Sequence, residues 1–60
     1  MIVNTNLYHF SHGHAPRGHG PWAFGVAGNE YFYNGNYAQA RGAAIQQARA
    51  LGVDTVKVLP

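Results

Sequence analysis

The chain has 60 residues, no cysteine, and a formal net charge of +2 from four basic and two acidic side chains. Its length holds one domain with a small core, because a chain of this size buries only about 60% of the surface it exposes when unfolded, while a hydrophobic content of 47% excludes disorder throughout. The absence of cysteine excludes a disulfide framework and a thiolate metal site, and with Glu30 and Asp54 as the only carboxylates there is little material for two-acid catalysis or a hard-metal cage.

Residues 2–10 mix β-branched and aromatic side chains with asparagines, and Leu7-Tyr8-His9-Phe10 is their most strand-like portion, which predicts a first strand over 2–10. The following segment, Ser11 to Pro21, holds three glycines and two prolines and predicts a long loop. Trp22, Phe24 and Val26 then alternate with Ala23, Gly25 and Ala27, a period of two that predicts a strand with one bulky and one small-residue face. Gly28-Asn29 supplies residues tolerant of positive φ, so a tight hairpin leads into a third strand at Tyr31-Phe32-Tyr33, antiparallel to its neighbours.

Asn34-Gly35-Asn36 breaks that run, and Asn36 with Gln39 three residues later has capping-box spacing, which predicts a helix starting near Tyr37. Tyr37, Ala40, Ala44, Ala48 and Leu51 recur at helical spacing as an inner face, with Gln39, Arg41, Gln46 and Arg49 in other directions. Gly52 serves as the C-cap, with Val53 packing back on the last turn. Residues 54–59 read as a final strand with Val56 and Val58 on one face. The expected architecture is α+β: a single domain over 1–60, a three- to four-stranded sheet in the order β-β-β-α-β, and one helix packed on one face. The other face is left open, to be covered by a partner or by a second copy in a homodimer.

No basic segment followed by a long apolar core opens the chain, and no apolar run approaches the ~20 residues that span a bilayer, so a soluble intracellular protein without membrane partners is expected. His9, His12, His14 and His19 lie at H-x2-H-x-H-x4-H spacing, close enough for imidazoles to converge on a transition metal. The cluster lacks a thiolate and a neighbouring carboxylate to orient the rings, so it reads as a polar loop and no metal or other cofactor is assigned. These four histidines remain the only metal candidates.

Contacts with a partner are expected from the string Pro16-Arg17-Gly18-x-Gly20-x-Trp22 and from the helix surface. Glycines let a partner approach the backbone, Arg17 offers a planar fork of donors, Trp22 a stacking face, and the nearby His12 and His14 further donors. Arg41 and Arg49 sit on a helix that carries no acidic residue; eight positions apart, they are separated by about 12 Å along the axis and about 80° around it. For catalysis there is Ser11 beside His12, but no third group to hold a base and no rigid support for it, so the chain reads as a binder rather than an enzyme.

Ser11-His12-Gly13, Pro16-Arg17-Gly18, Trp22-Ala23-Phe24, the alanine-rich helix ending at Leu51-Gly52 and the Val56-x-Val58 strand together resemble short orphan proteins of bacteriophages and prophages. The resemblance spans about residues 11–59. It implies an accessory or anti-defence factor in the cytoplasm of a bacterial host, of the kind that includes anti-CRISPR inhibitors, occupying a surface of a host protein or protein–nucleic acid complex. It carries over no functional residues. The alternatives kept beside it are a direct nucleic-acid-binding module, suggested by the basic balance and the aromatics, and a histidine-loop metal-binding protein.

Overall fold

A computed structural model describes all residues from Met1 to Pro60. The elements in chain order are β1 (Ile2–Asn4), α1 (Asn6–His12), β2 (His19–Val26), β3 (Asn29–Asn36), α2 (Tyr37–Ala50) and β4 (Thr55–Val58). They form one mixed four-stranded sheet in the order β1-β4-β2-β3, in which β1 runs parallel to β4 and β2 runs antiparallel to both β3 and β4. The expected α+β class holds. The finer order differs, because a second helix replaces most of the first predicted strand and gives β-α-β-β-α-β.

That helix forms for local reasons that propensity does not report. The Asn4 side-chain oxygen accepts a bond from the Asn6 amide at 2.9 Å, turning the chain out of β1, and the His9 amide then donates to the Thr5 carbonyl. Gly13 ends the helix at φ 74°, its amide donating to the His9 carbonyl. Seven residues make a marginal helix by themselves. Packing holds it: Tyr8 is its one buried residue and rests on the Trp22 indole, with ring centroids 5.5 Å apart.

β2 begins three residues earlier than the sequence pattern indicates, running through Gly20 and Pro21. Its contact with β4 is confined to Phe24 and Gly25, so Pro21 has a strand neighbour only on the β3 side, a position where a missing amide is tolerated. Ala27 and Gly28, at φ 51° and 79°, form the two-residue turn, and Asn29 already pairs with Val26. β3 likewise runs past its predicted end, through Asn34-Gly35-Asn36. Gly35 is held there by the Trp22 indole N–H, which donates to its carbonyl at 3.1 Å, and a Cβ at this position would lie 2.9 Å from the Tyr33 ring.

The second helix follows its sequence signals closely. The Asn36 side chain accepts from the Gln39 amide at 2.8 Å, and the C-terminal end closes with the Gly52 amide on the Arg49 carbonyl and the Val53 amide on that of Ala48, around Gly52 at φ 75°. Ala40, Ala44 and Ala48 are buried against the sheet, whereas Leu51, expected on the same face, is exposed. Leu51 sits at the cap itself, after the helical phase has ended. Asn36→Ala removes one cap bond and is expected to cost about 1 kcal/mol, seen as a lower midpoint in urea with an unchanged slope.

One cluster forms the core: Tyr8 from α1, the three alanines of α2, and Trp22, Phe24, Val26, Val56 and Val58 from the sheet. Both helices therefore lie on the same face. Alanines let α2 approach closely, and the aromatic rings of β2 fill the space they leave. The opposite face carries Ala23, Gly25, Lys57, Glu30 and Phe32, with no element over it; Phe32, at 77% exposure, is the one large aromatic there. Most of the remaining rings serve the core instead.

Candidate functional site

At the start of β2, the end of α1 and the residues after β4 enclose a cleft lined by Tyr8, His12, Arg17, His19, Trp22 and Pro60, among others. Two anchors shape the loop that delivers Arg17. Pro16 is buried on one side of it, and on the other Gly18, at φ 87°, presents its carbonyl to the Tyr37 amide at 2.8 Å. The exposed arginine between them is held at the cleft by its backbone, and no hydrogen bond within the chain engages its guanidinium.

The wall of the cleft is a ladder of rings. His12 stacks on Tyr8 at 4.1 Å with an interplanar angle of 18°, one helical turn apart, and His14 meets the same Tyr8 ring edge-on at 5.7 Å. Trp22 joins Tyr8 to Tyr37, whose centroid is 5.0 Å away. At 6% exposure and with its N–H given to Gly35, Trp22 supports the cleft from the core and keeps little free face for stacking. The His14 Nδ1–H donates to the Ala15 carbonyl at 2.8 Å, since a carbonyl only accepts, so its Nε2 is the ring nitrogen left for another partner.

Of the residues singled out in the sequence, Arg17, Trp22 and His12 thus line the cleft, and His14 lies beside it against the Tyr8 and His12 rings. Arg41 is close to the same end: burial raises the Tyr37 hydroxyl above its usual pKa of 10.0, and the Arg41 guanidinium partly offsets that rise. Arg49 lies two turns further along α2, in its last turn, and belongs to another part of the surface. His9 is exposed on α1 outside the cleft, and no three His, Asp or Glu side chains anywhere come together to hold a metal ion.

The acidic groups are segregated from this end. Glu30 and Asp54 line a separate depression, shared with Lys57, beside the β2–β3 turn. Sequence reasoning missed Tyr8 and the residues after β4 as lining groups, because it placed Tyr8 on a strand. Gly13, directly after His12, which stands four residues from Tyr8, was the available helix-end signal. Sequence reasoning also missed Leu7 and Phe10, three residues apart on the outer side of α1, both exposed, Phe10 at 94%.

Comparison of the chain with protein-family models, with curated proteins and with solved structures finds no match. No helix is long and apolar enough to cross a membrane.

Proposed function

We propose that the chain is a small non-enzymatic binding protein, engaging an acidic surface of a protein partner through the Arg17 cleft and the outer side of α1. The observation that carries this reading is the exposed Arg17, without a hydrogen bond inside the chain, in a cleft that His12 and His19 also line. Leu7 and Phe10, about 140–160° from His12 around α1, add a separate exposed apolar patch. Free donors over a wall of aromatic rings suit a protein surface that brings carboxylates, and an exposed apolar patch on the same short helix gives such a partner more to bury. A nucleic-acid site of comparable size relies on several phosphate contacts, whereas this cleft brings one permanent cation with imidazoles beside it and Arg41 near. The phage-like resemblance makes the partner a host protein or protein–nucleic acid complex in the bacterial cytoplasm, with inhibition of a defence system such as CRISPR as the consequence of occupying it.

The test is capture from bacterial lysate with the unaltered chain, Arg17→Ala and Phe10→Asp side by side, followed by titration of the identified partner. Arg17→Ala is expected to weaken binding about tenfold or more, the scale of a charged interface contact, with an unchanged melting curve. Equal loss of folding and binding would show that Arg17 serves the fold. Oligonucleotide binding that weakens steeply with salt, in place of a protein partner, would replace this reading with the nucleic-acid one.

A further inference from the structure

We propose that the free edge of β3 is a self-association surface, at which two copies of this chain pair their β3 strands antiparallel about Phe32 into one continuous sheet. This surface is separate from the α1 cleft and does not depend on the reading given above.

β3 ends the strand order and is paired on one side only, with β2, over its whole length of eight residues. Its pairing with β2 is one-for-one from His19↔Asn36 to Val26↔Asn29, so no bulge twists the edge away. The strand contains no proline, lysine or arginine, the residues by which proteins ordinarily blunt such edges. The other edge of the sheet, β1, has only three residues.

The hairpin geometry decides which backbone groups are free. A two-residue turn closes on a doubly hydrogen-bonded pair, here Val26 with Asn29, and such pairs alternate along the ladder. Tyr31, Tyr33 and Gly35 are then bonded to β2, and the amides and carbonyls of Glu30, Phe32 and Asn34 point outward. Those three residues also carry their side chains on the open sheet face.

In the strand, Asn-Glu-Tyr-Phe-Tyr-Asn-Gly-Asn, Phe32 is flanked by a tyrosine on each side, with Glu30 two positions before it and Asn34 two after. An antiparallel two-fold through Phe32 sets outward residue against outward residue: Phe32 against the partner's Phe32, and Glu30 against the partner's Asn34, each pair exchanging two backbone hydrogen bonds. On the open face the exposed phenyl rings meet at the centre. On the helix side Tyr31 meets the partner's Tyr33 in the closer, non-bonded type of pair, above a shallow apolar groove between β3 and α2 lined by Tyr31, Tyr33, Ala40 and Ala43. The strand has one charge, Glu30, and this register places it opposite an amide instead of its own copy. The backbone pattern admits a two-fold at Glu30, Phe32 or Asn34; the Phe32 one keeps the two Glu30 carboxylates apart and brings the exposed rings together, which fits a second copy as the occupant.

Sedimentation equilibrium over a wide dilution series tests the proposal, with two variants at the exposed Asn34 and circular dichroism to confirm their fold. The unaltered chain is expected to approach twice the 6.5 kDa of one chain as concentration rises. Asn34→Glu sets two carboxylates against the partner's Glu30 and its symmetry mate, and should weaken the dimer about tenfold. Asn34→Lys sets an ammonium there and should tighten it by a similar factor at low salt, with the gain lost at high salt. Arg17→Ala should leave the dimer unchanged, so failure of the cleft reading and failure of this one give different results. A monomer at every concentration for all three chains, or a dimer indifferent to both Asn34 variants, would overturn the proposal, as would exclusive pairing with a peptide from another protein.

Discussion

Phe24→Ala is expected to leave most of the molecules unfolded at room temperature. Phe24 is 1% exposed and lies on β2, between Tyr31 of β3 and Val58 of β4, with the Tyr37 ring 6.5 Å above it. Its ring is what fills the space over the alanine face of α2, and alanines cannot move in to replace it. Truncating a buried phenylalanine costs about 3–5 kcal/mol, and a single small core without disulfide or metal seldom supplies more than about that much in total. The amide proton spectrum should collapse toward random-coil shifts, and the thermal transition should lose its cooperativity. Phe24→Leu, which keeps most of the volume, should retain a cooperative melt at a lower midpoint. A Phe24→Ala protein melting within a few degrees of the unaltered one would mean that the core is centred elsewhere.

Ala48→Glu should be nearly as damaging, by a different route and with a distinguishing response to pH. Ala48 is fully buried, and its carbonyl accepts the closing bonds from the Leu51 and Val53 amides at the negative end of the helix dipole. A carboxylate placed there is desolvated, meets that dipole and finds no buried cation, at a cost of about 3 kcal/mol or more. Burial raises the folded-state pKa of the introduced group above its unfolded value of about 4.3. The electrostatic part of the cost is therefore fully present above the folded-state value and relieved as pH falls through it toward the unfolded one. Helicity of the variant, compared with the unaltered chain at each pH, should recover in part below about pH 4.3. A loss that stayed constant with pH would assign the damage to volume alone.

Much of the fold could be read from the residues, and the exceptions have physical causes. The alternation of Trp22, Phe24 and Val26 and the spacing of Ala40, Ala44 and Ala48 are long enough for period to dominate, and the structure buries all six. Asn36 and Gly52 act where cap chemistry places them. The segment over α1 was misread because a seven-residue helix with one buried side chain has no repeat to detect, and Leu7, Tyr8 and Phe10 have the composition of a strand. Its helix is decided by Asn4, by Gly13 and by the docking of Tyr8 on Trp22, a contact between residues far apart in the chain. Similarly, Gly35 continues a strand that its local sequence argues against, because a distant indole binds its carbonyl.

For the candidate site, His12, His14, Arg17 and Trp22 were legible as neighbours because a short segment carries all four. What could not be read was their relation to α1, which adds Tyr8 to the cleft and turns Leu7 and Phe10 to its outer side. Arg49 was named with Arg41 as a contact, yet about two turns of α2 carry it to the last turn of the helix, away from the cleft.

The pairing of β1 with β4 bears on how the chain reaches this structure. Ile2 lies against Thr55 and Val3 against Val56, so this ladder joins segments nearly a whole chain apart, whereas the β2–β3 hairpin and the helix that follows it are contiguous. Closing a long loop is entropically costly until other contacts have shortened it. The order expected from that cost is the hairpin and α2 first, β4 beside β2 next, and β1 last, with α1 carried down onto Trp22 behind it. Until that last step Val3 and Tyr8 lack their cover and the Trp22 ring lacks its neighbour, so a chain stalled there shows apolar surface that the finished fold hides.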